Sequence, residues 1–474
     1  MIYGASNQDC LPPYFLEKAR VCLNLNSPKT LHLTSGKLIT LATLLPIIVI
    51  SHFYLSYATS AWFFQDDFVF INTYSKNLLL FQLFDFSNFG RFLSRNVYWM
   101  MGSHLSGNRA SYFYLFNLAT IILSTGLLYK VFVSMQERSS ALIAGLIYFS
   151  MPAVITAYAW ISNSQHLLGH LFLFLFMYLY LRFEKSKLNY WHVALLLLIL
   201  ISGLLCNIFV GFVLSLPAYY LLVDSKSRGE RSNWLLVISG SALFVFFGYN
   251  LRQSAVDAYL VQVDLATLMT NVNFYFKNIY GFFAWTMITV SGAIYSLYAR
   301  RKYYSWLYLA SFAFFIPYAF LFHQRYVQYG ALTYLFFYLG LWSTLNCWLA
   351  EKNQFAVNIT GAFLAIILMG YSISPIHFFS EHISGSDQMQ IIAQLKHFDI
   401  TAGKGIQNYC FTFKDATRNN AYIKQLDFPT GWWSLGFSNA FSMFVDPAKK
   451  YQLFGADIQC DVTFLIDKNR LTQL

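Results

Sequence analysis

Charge is scarce in this chain. Asp, Glu, Lys and Arg make up only 11% of its 474 residues, where a soluble domain carries about 25%. Hydrophobic residues reach 57% and aromatic residues 20%. That balance excludes an ordinary soluble domain and marks a polytopic membrane protein. Cysteine is sparse as well. The six cysteines include no CxxC pair and no metal-finger spacing, which argues against zinc. There is no low-complexity tract and no internal repeat. Residues Met1–Lys37 contain Pro12, Pro13 and Pro28 but no apolar core with a small-residue cleavage site. They read as a cytosolic arm, not a signal peptide. The net charge of +11 is no mark of nucleic-acid binding, because the basic residues are scattered beside apolar runs.

What the chain has instead is long uncharged runs. A membrane span needs about 20 apolar residues at about 1.5 Å each. Runs nearly free of Asp, Glu, Lys and Arg cover 38–60, 111–129, 140–159, 164–181, 189–206, 208–223, 233–250, 272–298, 303–322, 326–349 and 354–374. About eleven spans are therefore expected. Basic residues then set the orientation. With the N-terminus inside, the arm and the inner loops hold sixteen Lys and Arg residues and the outer loops seven. That bias fits the positive-inside rule. It places Asp66, Asp67, Arg91, Arg95, the Ser162–His166 turn and His323–Tyr326 on one outer face.

From about Ser374 the character changes to mixed polar and apolar. Ser386–Phe398 has helical periodicity, with Met389, Ile392, Leu395 and Phe398 on one face. Tyr409–Phe413 and Val462–Ile466 read as short strands. The expected organisation is a cytosolic arm over 1–37, a transmembrane domain over 38–375 and a small outer-face α/β soluble domain over 376–474. Cys410 and Cys460 fall in that last segment. They either pair, if the face is oxidising, or remain buried thiols, since spacing alone does not fix connectivity.

The chemistry is expected where the charge returns. From Leu38 to Phe64 there is no Asp, Glu, Lys or Arg, and then Asp66 and Asp67 arrive side by side. An acid at the centre of a membrane helix costs about 2.5–3.5 kcal/mol. The pair therefore belongs at a helix end, where a carboxylate can take a proton. Arg91 and Arg95 follow, four apart, so a helix would put them on one face. His166 and His170 share that spacing, but no third ligand lies nearby, and no metal site is expected. Trp160, Trp432 and Trp433 suit interface anchors.

Four ordered stretches carry a family resemblance over about residues 38 to 350. They are Asp66-Asp67; Gly90-Arg91-Phe92-Leu93-Ser94-Arg95; Met151-Pro152 through Trp160-Ile161-Ser162-Asn163-Ser164-Gln165-His166; and His323-Gln324-Arg325-Tyr326. In these the chain resembles the GT-C-type integral membrane glycosyltransferases, such as the protein O-mannosyltransferases and aminoarabinose transferases. The resemblance implies a GT-C-like helical fold with juxtamembrane helices in the first outer loop. It implies inverting transfer of a sugar from a polyprenyl-phosphate donor to an acceptor hydroxyl. The acceptor would be lipopolysaccharide or O-antigen, a cell-wall glycan or a protein. By position, Asp66 matches the catalytic base and Asp67 the second acid, which faces the acceptor. Arg325, with Arg91 and Arg95, matches the cations that hold the donor phosphate. His166, His323 and Tyr326 match donor or acceptor contacts. No cofactor is implied, and the expected setting is a bacterial inner membrane with the C-terminal domain in the periplasm. Two departures keep selectivity from being carried over. Ala153-Val154-Ile155-Thr156 stands where relatives often have His or Glu, and Ser162-Asn163-Ser164 where they often have Arg.

Two other classes compete. An O-antigen polymerase or ligase, using a lipid-diphosphate donor, leans on a large outer loop late in the chain; here the longest, at about 61–110, is early. A lipid-linked sugar flippase or transporter predicts mid-membrane charges or a repeated half, and neither is present.

Overall fold

The computed structural model describes residues 29–64, 66–75, 91–106, 109–135, 138–184, 189–206, 263–276, 281–299, 301–320, 327–350, scattered positions between 360 and 376, 386–414, 435, 438–455, 458–467 and 469–474. The expected spans 208–223 and 233–250, most of 354–374, and the residues His323, Arg325, Tyr326, Trp432 and Trp433 lie outside this set.

Uncharged, aliphatic and aromatic stretches fold as helices here because each carries its own backbone hydrogen bonds, the condition for burial in an apolar medium. Helix α1 is Lys29–Ser60 and α2 is Asp66–Ser75. A short π-helix, Phe92–Val97, runs directly into α3, Tyr98–Ser106. Then come α4 (Ala110–Ser134), α5 (Arg138–Ser150), α6 (Pro152–Ala159), a 3-10 turn at Ile161–Asn163, α7 (Ser164–Glu184) and α8 (Tyr190–Leu204). The second half holds α9 (Leu265–Phe276), α10 (Gly281–Tyr298), α11 (Lys302–Ala319), a 3-10 turn at Val327–Gly330 and α12 (Ala331–Ala350). Helix α4 packs against α1, α5 and α7, and α11 against α10 and α12.

Three boundaries differ from the sequence expectation. Helix α1 begins at Lys29, inside the expected arm. The run 140–159 is two helices bent by 48° at Met151–Pro152, because Pro152 has no N–H to continue the ladder. The run 272–298 falls in two helices, and Gly281 opens the second with φ +80°, a conformation that favours glycine.

The expected count of about eleven spans also needs correction. Among the described residues, two helices are long and apolar enough to cross a membrane, Ala110–Ser134 and Ile161–Phe183. The bent pair Ala141–Ser150 and Pro152–Ala159 makes a third if it is one span, and Leu45–Ser60 and Tyr190–Leu204 are shorter apolar helices. Freedom from charge is a weaker condition than apolarity. Helices α11 and α12 have few charges, but Tyr, Ser and Trp dilute their aliphatic content.

Tyrosine hydroxyls bind the first half together. Short helices leave unsatisfied carbonyls at their ends. Tyr54 donates to the Phe149 carbonyl beside the bend (3.1 Å), and Tyr57 donates to Ala159 O at the end of α6 (3.0 Å). Tyr158 returns a hydrogen bond to Tyr54 O (2.5 Å), and Tyr114 donates to Trp62 O (3.0 Å). The aromatic abundance is thus partly a supply of long-reach donors for a core whose backbone is interrupted.

Among the described residues the C-terminal part is a four-stranded sheet with two helices. Helix α13 is Ser386–Thr401, β1 is Asn408–Phe413, α14 is Asn439–Phe444, β2 is Lys450–Leu453, β3 is Val462–Asp467 and β4 is Arg470–Gln473. The strand order is β2-β1-β3-β4. β1 runs parallel to both β2 and β3, and β4 is antiparallel to β3. Cys410 and Cys460 are joined in a disulfide, with Cα atoms 5.7 Å apart. The buried face of α13 carries Ile391, Ile392 and Leu395, whereas Met389 is 51% exposed and not part of it. At the entry to the strands, Asp399 accepts from both Tyr409 and Lys449, closing α13 onto β1 and the approach to β2. Phe411, at the centre of β1, stacks on Phe441 of α14 at 4.5 Å.

Candidate active site

The acid pair sits at the first turn of α2, where the positive end of the helix dipole favours negative charge. The two carboxylates have different surroundings. Asp67 is fully buried. Its Oδ2 accepts from the Phe64 N–H at 3.0 Å, and its Oδ1 accepts from the Ser162 N–H at 2.7 Å. It therefore ties the start of α2 to the Ile161–Asn163 turn. Burial pushes its carboxyl well above the usual range, against the pull of these N–H groups.

Asp66 is partly exposed. Burial pushes its carboxyl up to about 6, against the opposing pull of Arg95 and then Arg91. Both arginines come from the π-helix segment: Arg91 caps it and Arg95 lies in its last turn. The Arg95 guanidinium also lies over the Phe70 ring of α2, 4.6 Å from its centroid. That cation–π contact holds it beside the helix that carries Asp66. π-helical segments occur often at functional sites.

The third motif forms the far wall. His166 is buried in the first turn of α7, its ring 5.0 Å from that of Tyr329, and Tyr329 stacks on Tyr318 at 5.2 Å. Arg91 is near enough for its charge to act on both His166 and Tyr318. Val327–Gly330, the turn carrying Tyr329, packs against α6. Among the described residues, neither ring nitrogen of His166 has a hydrogen-bond partner, nor does Asn163 Nδ2 or Gln328 Nε2, although all three residues are buried. His170, one turn on, is instead paired with the Tyr148 hydroxyl at 3.1 Å. Among the described residues no group of three His, Cys, Asp or Glu side chains is placed to hold a metal.

Of the residues expected from sequence, the structure brings Asp66, Asp67, Arg91, Arg95 and His166 to one region. His323, Arg325 and Tyr326 lie outside the described residues. The Ser162 amide, Tyr318, Gln328 and Tyr329 were not expected. A backbone amide has no signature in sequence, and Tyr329 is one of 34 tyrosines.

These features define a mostly helical chain with membrane-type apolar helices, a small C-terminal sheet and an acid–arginine cluster at a helix end. No protein-family model and no curated protein matches the sequence. Among solved structures the chain is similar to the Archaeoglobus fulgidus oligosaccharyltransferase, in a structure tethered through a disulfide to an acceptor peptide containing the NVT sequon. The TM-score is 0.45 and the identity 12%, over 86% of this chain and 63% of that one.

Proposed function

We propose that this protein is an inverting membrane glycosyltransferase of the GT-C type. It moves a sugar from a polyprenyl-phosphate-linked donor to an acceptor hydroxyl of lipopolysaccharide or O-antigen, a cell-wall glycan or a protein. The observation that carries the reading is Asp66, a partly exposed carboxylate with a raised pKa, at the first turn of α2 and within reach of the charges of Arg95 and Arg91. An acceptor hydroxyl is a weak nucleophile and needs a base of this kind within reach. The departing lipid phosphate needs fixed cations and N–H donors. Arg91 and Arg95, with Arg325 of the fourth motif, are assigned to it. The unpaired nitrogens of Asn163, His166 and Gln328 suit an acceptor-rich head group. The Cys410–Cys460 bond supports placing the C-terminal part in an oxidising compartment, the periplasm of a bacterial inner membrane.

The test is transfer by purified protein from a panel of polyprenyl-phosphate sugars, with mass spectrometry of envelope glycans from a deletion strain. Transfer is expected to persist in EDTA. Loss in EDTA with recovery on adding manganese or magnesium would recast Asp66 and Asp67 as metal ligands for a diphosphate donor. A second prediction concerns pH. Only the ionised form of Asp66 accepts a proton, so kcat/KM rises with pH through about 6. The Arg95 charge holds that value down, so Arg95→Gln moves the acid limb to higher pH. An unmoved limb in the pH–rate profile would show that the titrating base is not Asp66.

A further inference from the structure

We propose that the C-terminal sheet completes the candidate active site, with Phe444 as the residue that positions Asp66. This rests on the glycosyltransferase reading for its kinetic arm and on contacts alone for its structural arm.

Phe444 is the last residue of α14, and that helix packs directly on α2. Its ring lies 4.9 Å from Trp62 and 6.2 Å from Phe68, and those two rings are 5.4 Å apart. The three aromatics therefore form one cluster across the start of α2, with Trp62 on the chain before the acid pair and Phe68 just after it. Each member is fixed from behind. Phe68 is fully buried, and the Trp62 carbonyl is held by Tyr114. On the other side Phe441, one turn before Phe444, stacks on Phe411 of β1, and the neighbouring Cys410 carries the disulfide. An unbroken line of contacts thus runs from the bonded sheet through Phe411, Phe441 and Phe444 to the turn that holds Asp66.

The Phe64 and Ser162 amides, which also support that turn, act on Asp67. Asp66 makes its approach to the arginines from the same first turn. The aromatic cluster adds no charge there, since Asn439–Phe444 contains no titratable side chain. Among the described residues the charged groups that act on Asp66 are Arg95 and Arg91 from the π-helix, with Asp67 beside it, and the Ile161–Asn163 turn contributes none. A site on a short helix end keeps its geometry only when supporting residues lock it, and Phe444 is such a residue.

The experiment compares Phe444→Ala with the conservative Phe444→Leu and wild type, all as the full chain. Hydrogen exchange at Phe64–Phe68 is expected to rise at least tenfold in Phe444→Ala, with exchange on α4 unchanged. In transfer assays kcat is expected to fall about tenfold with KM for the donor little changed, and the acid limb to move to lower pH as water reaches Asp66. Phe444→Leu should recover most of both effects. Unchanged exchange at Phe64–Phe68 would overturn the proposal outright. Faster exchange with kcat and pH profile both at wild-type values would show a purely structural contact and overturn the positioning role. If wild type transfers no sugar, the glycosyltransferase reading fails, while the exchange result still decides whether the sheet supports the acid-pair turn.

Discussion

Asp66→Asn lowers turnover by about 10²–10⁴-fold, the usual worth of a general base, and leaves folding and donor binding close to wild type. Asn has nearly the same shape as Asp and still accepts a hydrogen bond, but it cannot take the acceptor proton. The side chain is partly exposed at the start of α2, so removing its charge does not open a hole in the core. Burial already makes the ionised form hard to keep, as the rise to about 6 records. The neutral amide therefore relieves a desolvation penalty and the variant should fold at least as well. The residual activity should also lose its acid limb. The measurement is donor binding and single-turnover transfer on purified variant and wild type across pH 5–8, a window set about the value of about 6. Normal turnover would place the base elsewhere. Loss of donor binding as well would make the pair a structural or metal-holding element.

Asp67→Asn acts on a different quantity. Both oxygens of Asp67 accept backbone N–H groups in a fully buried setting. An amide supplies one oxygen and one NH2, and the NH2 faces an N–H donor. One buried amide loses its partner, which costs about 1–3 kcal/mol. The lost partner is either Phe64, which anchors α2, or Ser162, which begins the approach to His166. The expected result is a lower thermal midpoint and less folded protein in detergent, together with reduced turnover. Asp67→Glu does not rescue, because an added methylene in a closed site forces its neighbours to shift, at about 1–3 kcal/mol. An unchanged midpoint for Asp67→Asn would mean that the two amides find other partners. The resemblance to known transferases assigns this residue to the acceptor; its two backbone hydrogen bonds give it a structural part as well.

Much of this site was legible because membrane sequences make charge conspicuous. Two acids directly after an uncharged run, and two arginines four apart in the next loop, stand out against a chain that is 11% charged. Their convergence follows from helix ends meeting at one level. What joined them was not legible. Ser162 lies 95 positions from Asp67 and contributes a main-chain amide, which no residue letter records. The Tyr329 ring against His166 depends on the placement of a turn whose sequence, Val327–Gly330, has no distinctive pattern. Among the described residues fewer helices are of membrane length than the uncharged runs suggested, and in α11 and α12 the reason is that a run rich in Tyr, Ser and Trp is less apolar than one rich in Leu. In the C-terminal part, α13, β1 and β3 were legible from alternation and helical period. The strands Lys450–Leu453 and Arg470–Gln473 were not, since they are short edge strands with mostly polar or exposed residues. The helix face was misread at Met389 because Ile391 and Ile392 are adjacent and both turn inward.

The strand order sets a timetable for making this protein. β1 is synthesised first but belongs in the middle of the sheet, and both of its neighbours are parallel to it. Parallel neighbours cannot close as a hairpin; each must return along a crossover. β2 reaches β1 only through the segment containing α14, and β3 arrives later still. The one local pairing in the sheet is β3 with β4, an antiparallel pair that turns between Asp467 and Arg470. Because nearby contacts form before distant ones, that last hairpin is the element ready to nucleate. Until β2 and β3 have both been made, β1 has two open edges, the condition that invites pairing with a neighbouring chain. The strand synthesised first is thus the one whose partners both come later across long connections.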